Sequence, residues 1–175
     1  MNIRITPTRL HGSVVVPSSK SIGHRELICA VLAQGESVVE NISVSQDIEA
    51  TCRLLQAFGA SIEEIPSAYE GRTAYCVKGG LTKQGEALTV DCGESGSTLR
   101  FLIPVGLYSG NTVVYTGRGQ LVKRPLEPYY RIFDEHGVSY EPTEGGLPLT
   151  VEGCLQPGRY ALAGDVSSQF FTGLL

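Results

Sequence analysis

The chain has 175 residues, 42% of them hydrophobic, and a formal net charge of −4. That length accommodates one well-buried core, or two small repeated modules sharing one, and the acidic balance argues against a nucleic-acid partner, which needs a basic stripe. No apolar run approaches the ~18 residues of a membrane span. The opening residues 1–12 carry neither an apolar signal core nor a basic amphipathic stretch, so a cytoplasmic location is expected.

Taken in chain order, Val14–Val16 reads as an apolar strand that runs into Pro17-Ser18-Ser19-Lys20-Ser21. A helical segment follows and stops at Gly35, and Val38-Val39 marks a second strand. The next helix starts at Ser45 as N-cap, with Asp47 and Glu49 favouring its positive end and Gly59 as its stop. Ile48, Cys52 and Leu55 fall on one face of it. The strand YCVKGG (75–80) closes this stretch.

The same series then recurs. Leu88–Val90 is a strand, Asp91–Ser97 a small-residue loop, and the helical run that follows stops near Gly110. Val113-Val114 is the next strand, and a helix starting after Pro125 or Pro128 ends at Gly137, with Tyr129, Ile132, Phe133 and His136 near its apolar side. LTVEGC (149–154) closes the second series. Val16 corresponds to Val90, Arg25 to Arg100, and Gly59 to Gly137, so the period is about 75 residues. A third copy begins with Arg159–Leu162 as a strand, Gly164–Ser168 as a loop and Gln169–Leu175 as a helix start. The expected architecture is α/β, with units reading β-α-β-α-β-β over 12–80 and 81–154 and an incomplete one over 155–175. A boundary two turns into an apolar helix reads as that of a fragment, and Phe170, Phe171, Leu174 and Leu175 are expected to leave an apolar patch that favours self-association.

Each series sets a Ser-rich loop between a strand and a helix N-terminus, where free N–H groups and the helix dipole favour anions. Arg25 and Arg100 follow the first two loops and Lys20 lies within the first. Arginine grips a phosphate or carboxylate with two parallel hydrogen bonds. One such loop alone is ordinarily a simple N-cap; three related loops point to a small phosphorylated or carboxylated ligand. No Walker or dinucleotide-binding glycine pattern is present. The five cysteines form no C-x-x-C pair and read as scattered buried thiols, and the three histidines lie far apart. No metal or organic cofactor is expected.

The loops resemble one family. Residues 16–35 (VPSSKSIGHRELICAVLAQG) are similar to the S-K-S-x-x-x-R signature of 5-enolpyruvylshikimate-3-phosphate synthases, and 94–101 (ESGSTLRF) to their second, Gly-Ser/Thr-rich signature. Residues 116–125 (TGRGQLVKRP) resemble the family's basic loop, and 166–175 (VSSQFFTGLL) its Ser-Ser-Gln loop. The family transfers the enolpyruvyl group of phosphoenolpyruvate to the 5-hydroxyl of shikimate 3-phosphate. The resemblance implies that Ser21, Arg25, Ser167 and Ser168 hold shikimate 3-phosphate, that Gln169 lies between the two substrates, and that Lys20, Gly96 and Arg124 face phosphoenolpyruvate. Lys20 is then the one catalytic candidate here. A side chain at position 96 would crowd that subsite and exclude glyphosate, the family's inhibitor.

Within the basic loop, Arg118, Lys123 and Arg124 compete for the phosphate; Arg124 is favoured because it precedes Pro125 as in the family pattern. Arg100 reads equally as a loop support or a ligand contact. Glu94 is an anion beside an anion site, and His24 reads as a packing or capping residue. Family members carry two domains of three units each, with the acid–base groups in the second, so 175 residues are expected to bind without turnover. Two other readings are a non-catalytic anion-binding or self-associating module, and the related UDP-N-acetylglucosamine enolpyruvyl transferase. The latter is disfavoured because Ser21 follows Lys20 and no cysteine lies between Cys92 and Cys154.

Overall fold

The computed structural model describes residues 3–4, 6–7, 9, 11–143 and 146–175. Four of its helices begin at a serine whose hydroxyl accepts a backbone N–H of the first turn, satisfying one of the donors a helix leaves open. They are α1 (Lys20–Leu32) at Ser19, α2 (Gln46–Ala57) at Ser45, α3 (Gly96–Ser109) at Ser95 and α5 (Ser168–Leu174) at Ser167. Helix α4 (Glu127–His136) starts with Pro128 in its first turn, where the missing N–H costs nothing. Both α3 and α4 end on a left-handed glycine, Gly110 at φ +71° and Gly137 at +68°.

The strands form two sheets. In the first, β1 (Glu36–Ile42) pairs antiparallel with β3 (Thr73–Lys78), which pairs antiparallel with β2 (Ser61–Pro66). In the second, β5 (Val113–Thr116) pairs in the same way with β7 (Leu149–Glu152), and β7 with β6 (Ser139–Pro142). The second sheet adds β4 (Leu88–Asp91), parallel to β5 from Leu88 opposite Val113 to Asp91 opposite Thr116. The β1–β3 register slips between Val39 and Ile42, where Asn41 takes φ +61°, a bulge built on a residue type that tolerates it.

Helix α3 is buried on almost every side, with Leu99, Leu102 and Ile103 at 1% exposure or less, and it packs against α1, α2 and α5. Ile48, Cys52 and Leu55 of α2 are buried together, as their spacing predicts. The buried face is wider than that stripe and includes Thr51 and Leu54, because α2 packs against both α1 and α3.

Several expectations need correction. Val14–Val16 forms no strand; its side chains are 86, 93 and 74% exposed. The chain is held at Ser18, whose hydroxyl donates to Ser43 Oγ at 2.8 Å and accepts from Ser43 N–H at 2.9 Å, and among the described residues the valines before it have no ladder partner. Arg159–Leu162 also forms no strand; Tyr160 and Leu162 pack on the core through side chains alone. Phe170, expected in an exposed patch, is buried edge-on against Tyr129, although Phe171 and Leu175 are exposed. His136 is exposed and lies against Tyr160, because its position on α4 has turned past the buried stripe. All five cysteines are free, but Cys29 and Cys154 are exposed rather than buried.

Candidate anion-binding site

The N-termini of α1, α2, α3 and α5 are tied to one another by polar contacts. Lys20, in the first turn of α1, places Nζ 2.5 Å from Asp47 Oδ2 in the first turn of α2. The carbonyl of Asp47 accepts from Thr98 Oγ1 of α3 at 3.2 Å. Gln169 of α5 donates from Nε2 to Ser97 Oγ at 2.8 Å and accepts at Oε1 from Arg100 at 2.9 Å. Arg25 donates to the Ser21 carbonyl at 2.8 Å and to Thr172 Oγ1 at 3.0 Å, with its guanidinium 4.9 Å from the Phe101 ring centroid. Helix dipoles so gathered concentrate positive potential, which neighbouring lysine and arginine side chains reinforce.

Arg124 ends the short 3-10 turn Gly119–Lys123 and reaches the start of α3. A Cβ placed on Gly96 would stand 2.7 Å from Arg124 Nη1 and 3.4 Å from its Cζ. The absent side chain at position 96 therefore makes room for a guanidinium beside the open end of α3. The other two basic candidates lie elsewhere: Arg118 pairs with Asp91 at 3.2 Å and Lys123 is exposed in the last turn of the 3-10 segment.

The carboxylate of Glu94 faces Gly119, where a Cβ would come within 2.6 Å of it. Glu94 and Arg118 line a pocket of about 250 Å³ with Asp47, Glu49 and Arg53. Glu94 is thus turned toward the base of the basic loop. Arg100 is 7% exposed, holds Gln169, and lies 4.9 Å over the Phe170 ring. Burial lowers its pKa, and the positive charge of Arg124 adds to the effect. Of the two readings open to Arg100, a support of its loop fits this placement, because Nη1 donates to Gln169 and Nη2 to the Pro125 carbonyl.

His24 is fully buried, with Nδ1 2.8 Å from Thr51 Oγ1 and Nε2 without a protein partner. Burial pushes its pKa down to about 4, against the opposing pull of Asp47 and with the help of Lys20 and Arg25. It is a neutral packing residue.

Of the sequence candidates, Lys20, Gly96, Arg124 and Gln169 are joined through these contacts. Ser21 and Ser168 are exposed at the starts of α1 and α5, Ser167 is spent on capping Gln169 N–H, and Arg25 is bound to Thr172. Asp47 and Thr98 join this arrangement without a sequence signal for it; Asp47 is legible only for its effect on a helix dipole. The one available signal was its place one residue into a capped helix start, which says nothing of a lysine 27 positions earlier. A separate apolar groove of about 490 Å³, lined by Leu32, Pro104, Tyr108, Leu155 and Leu174, lies toward the C-terminal ends of α1 and α3 and shares no residue with the anion site.

The sequence profile described as EPSP synthase (3-phosphoshikimate 1-carboxyvinyltransferase) matches residues 5–175. The chain belongs to the EPSP synthase family. Among family members, the 3-phosphoshikimate 1-carboxyvinyltransferase of Clostridium novyi (strain NT) is 47% identical over 177 residues, covering 99% of this chain and 41% of that protein. The protein of the same name from Clostridium kluyveri is 46% identical, covering 99% and 39%. A solved EPSP synthase from Acinetobacter baumannii superposes with a TM-score of 0.77 at 27% identity, covering 94% of this chain and 37% of that one. The chain thus spans about two fifths of the length of the curated EPSP synthases it matches.

Proposed function

We propose that this chain carries the substrate-gathering wall of an enolpyruvyl transfer site. The parent reaction moves the enolpyruvyl group of phosphoenolpyruvate to the 5-hydroxyl of shikimate 3-phosphate and releases phosphate. The observation that carries this reading is the contact between Gly96 and Arg124, which sets a guanidinium at the N-terminal end of a buried helix. A phosphate or carboxylate placed there meets backbone N–H groups, a helix dipole and a fork of donors at once. Lys20 and Arg124 would take phosphoenolpyruvate, with Gly96 leaving it room. Ser21, Arg25, Ser167 and Ser168 would take shikimate 3-phosphate, with Gln169 between the two. Arg25 must then exchange its bond to Thr172 for one to ligand.

The organisation proposed with it is two related units, α-β-α-β-β within 12–80 and β-α-β-α-β-β within 81–154, and the opening of a third over 155–175. The matching β1-β3-β2 and β5-β7-β6 orders support that division. These residues would bind substrate without turning it over.

Calorimetric titration with shikimate 3-phosphate and then phosphoenolpyruvate tests the reading. Saturable binding of both, reduced in Lys20→Met and in Arg124→Met, is the expected result. A response no stronger than that to inorganic phosphate would favour a general anion-binding module, and phosphate release at a steady rate would overturn the inactivity.

A further inference from the structure

Between α1, α2 and α3 runs a closed series of polar side chains that the reaction itself does not use. His24 Nδ1 lies 2.8 Å from Thr51 Oγ1, Thr51 Oγ1 2.8 Å from Thr98 Oγ1, and Thr98 Oγ1 2.7 Å from Ser95 Oγ. Thr98 Oγ1 also lies 3.2 Å from the Asp47 carbonyl. His24, Thr51 and Thr98 are completely buried and Ser95 is 2% exposed. A hydroxyl has one proton, so Thr98, which faces two acceptors, can only accept from its third oxygen neighbour, Thr51.

Proton placement gives the series a direction. Thr98 faces Ser95 Oγ at 2.7 Å and the Asp47 carbonyl at 3.2 Å as donor and shares its proton between them, so Thr51 donates to Thr98. His24 is left to donate from Nδ1, with its unpartnered Nε2 as a bare lone pair, the less costly of the two possible orphans. The donor series therefore starts at a buried neutral ring and ends where two helices open.

The two ends matter because of what they hold. Asp47 pairs with Lys20 at 2.5 Å, and Ser95 caps the helix whose first residue is Gly96. We infer that Thr98 is a positioning residue: its hydroxyl fixes the start of α2 against the start of α3, and so sets Lys20 relative to Gly96 and Arg124. The functional half of this inference rests on the reading of those residues as a substrate site; the geometric half does not. Thr98 touches no part of the open face and acts through Asp47 and Ser95 only.

The test compares wild type, Thr98→Val, which keeps the shape without the hydroxyl, and Thr98→Ser, which keeps the hydroxyl. NMR of the Lys20 ammonium and of the Lys20, Asp47 and Gly96 amides reports the geometry without ligand. These resonances are expected to move in Thr98→Val and to return to wild-type positions in Thr98→Ser. Affinity for shikimate 3-phosphate is expected to fall about tenfold in Thr98→Val, the equivalent of one buried hydrogen bond, and to recover in Thr98→Ser. Should Thr98→Val not fold, Thr98→Cys, similar in size and a weak donor, replaces it. Unchanged Lys20 resonances in a folded variant without the hydroxyl would overturn the inference, whatever the ligand does. A wild-type chain that binds no ligand, with Lys20 still displaced by the substitution, would sink the proposed function and leave the positioning role standing.

Discussion

The hydroxyl of Tyr129 lies 2.5 Å from the carbonyl oxygen of Arg100, the carbonyl that Pro104 leaves without its helical donor. A proline in a helix interior removes the bond that its N–H would make four residues back. Here a tyrosine from the neighbouring helix α4 supplies the missing proton, and does so in a fully buried place. Tyr129→Phe is expected to cost about 1–3 kcal/mol, the penalty for a buried acceptor left unmet. Urea unfolding measures it, and Pro104→Ala in the Tyr129→Phe background should recover part of the loss, since it restores the N–H.

Gly96→Ala places a methyl where Arg124 now sits. The atom it meets is the far end of a flexible side chain, so the fold is expected to survive with its melting temperature nearly unchanged. Phosphoenolpyruvate binding should weaken by about tenfold or more, the loss of a charge-assisted contact. Calorimetry beside thermal melting separates the two effects, and an unaltered affinity would remove Arg124 from the site.

Gly106→Ala is expected to behave oppositely. Its new methyl meets the Tyr115 hydroxyl, which is fully buried and donates to the Leu102 carbonyl at 2.9 Å. Neither group can yield, so stability should fall by about 1–3 kcal/mol or more from overpacking, read by the same urea unfolding with little change in slope.

Acid lowers stability through His24. Its pKa is about 4 when folded against 6.5 for the free side chain, so the unfolded chain binds a proton that the folded one refuses between those values. The contribution is whole above pH 6.5 and is lost as pH falls toward 4, with a slope of up to about 1.4 kcal/mol per pH unit. Unfolding free energies across pH 4–7 should show a steeper fall in wild type than in His24→Gln. Parallel curves would mean that His24 is protonated in the folded state.

How far the sequence carried depends on the range of the forces involved. Helices α2, α3 and α4 were legible because serine caps, prolines and terminal glycines act within a turn or two. Val14–Val16 misled, since β character in three valines says nothing of whether a ladder partner stands beside them. The resemblance sets Arg124 and Gly96 toward one ligand, but their contact, between positions 28 residues apart, has no local signature. Asp47 and Thr98 were missed for a like reason: an ion pair and a buried hydroxyl bridge are decided by how helices cross.

Among the described residues the two sheets share no strand pairing, yet α3 is packed against helices on both sides of the division between them. Neither half can melt alone without uncovering that helix, whose buried residues run from Gly96 to Leu107, and exposing its apolar side chains to water. The protein should therefore lose its structure in one cooperative step despite its repetitive plan, with the amides of α3 exchanging with solvent last of all.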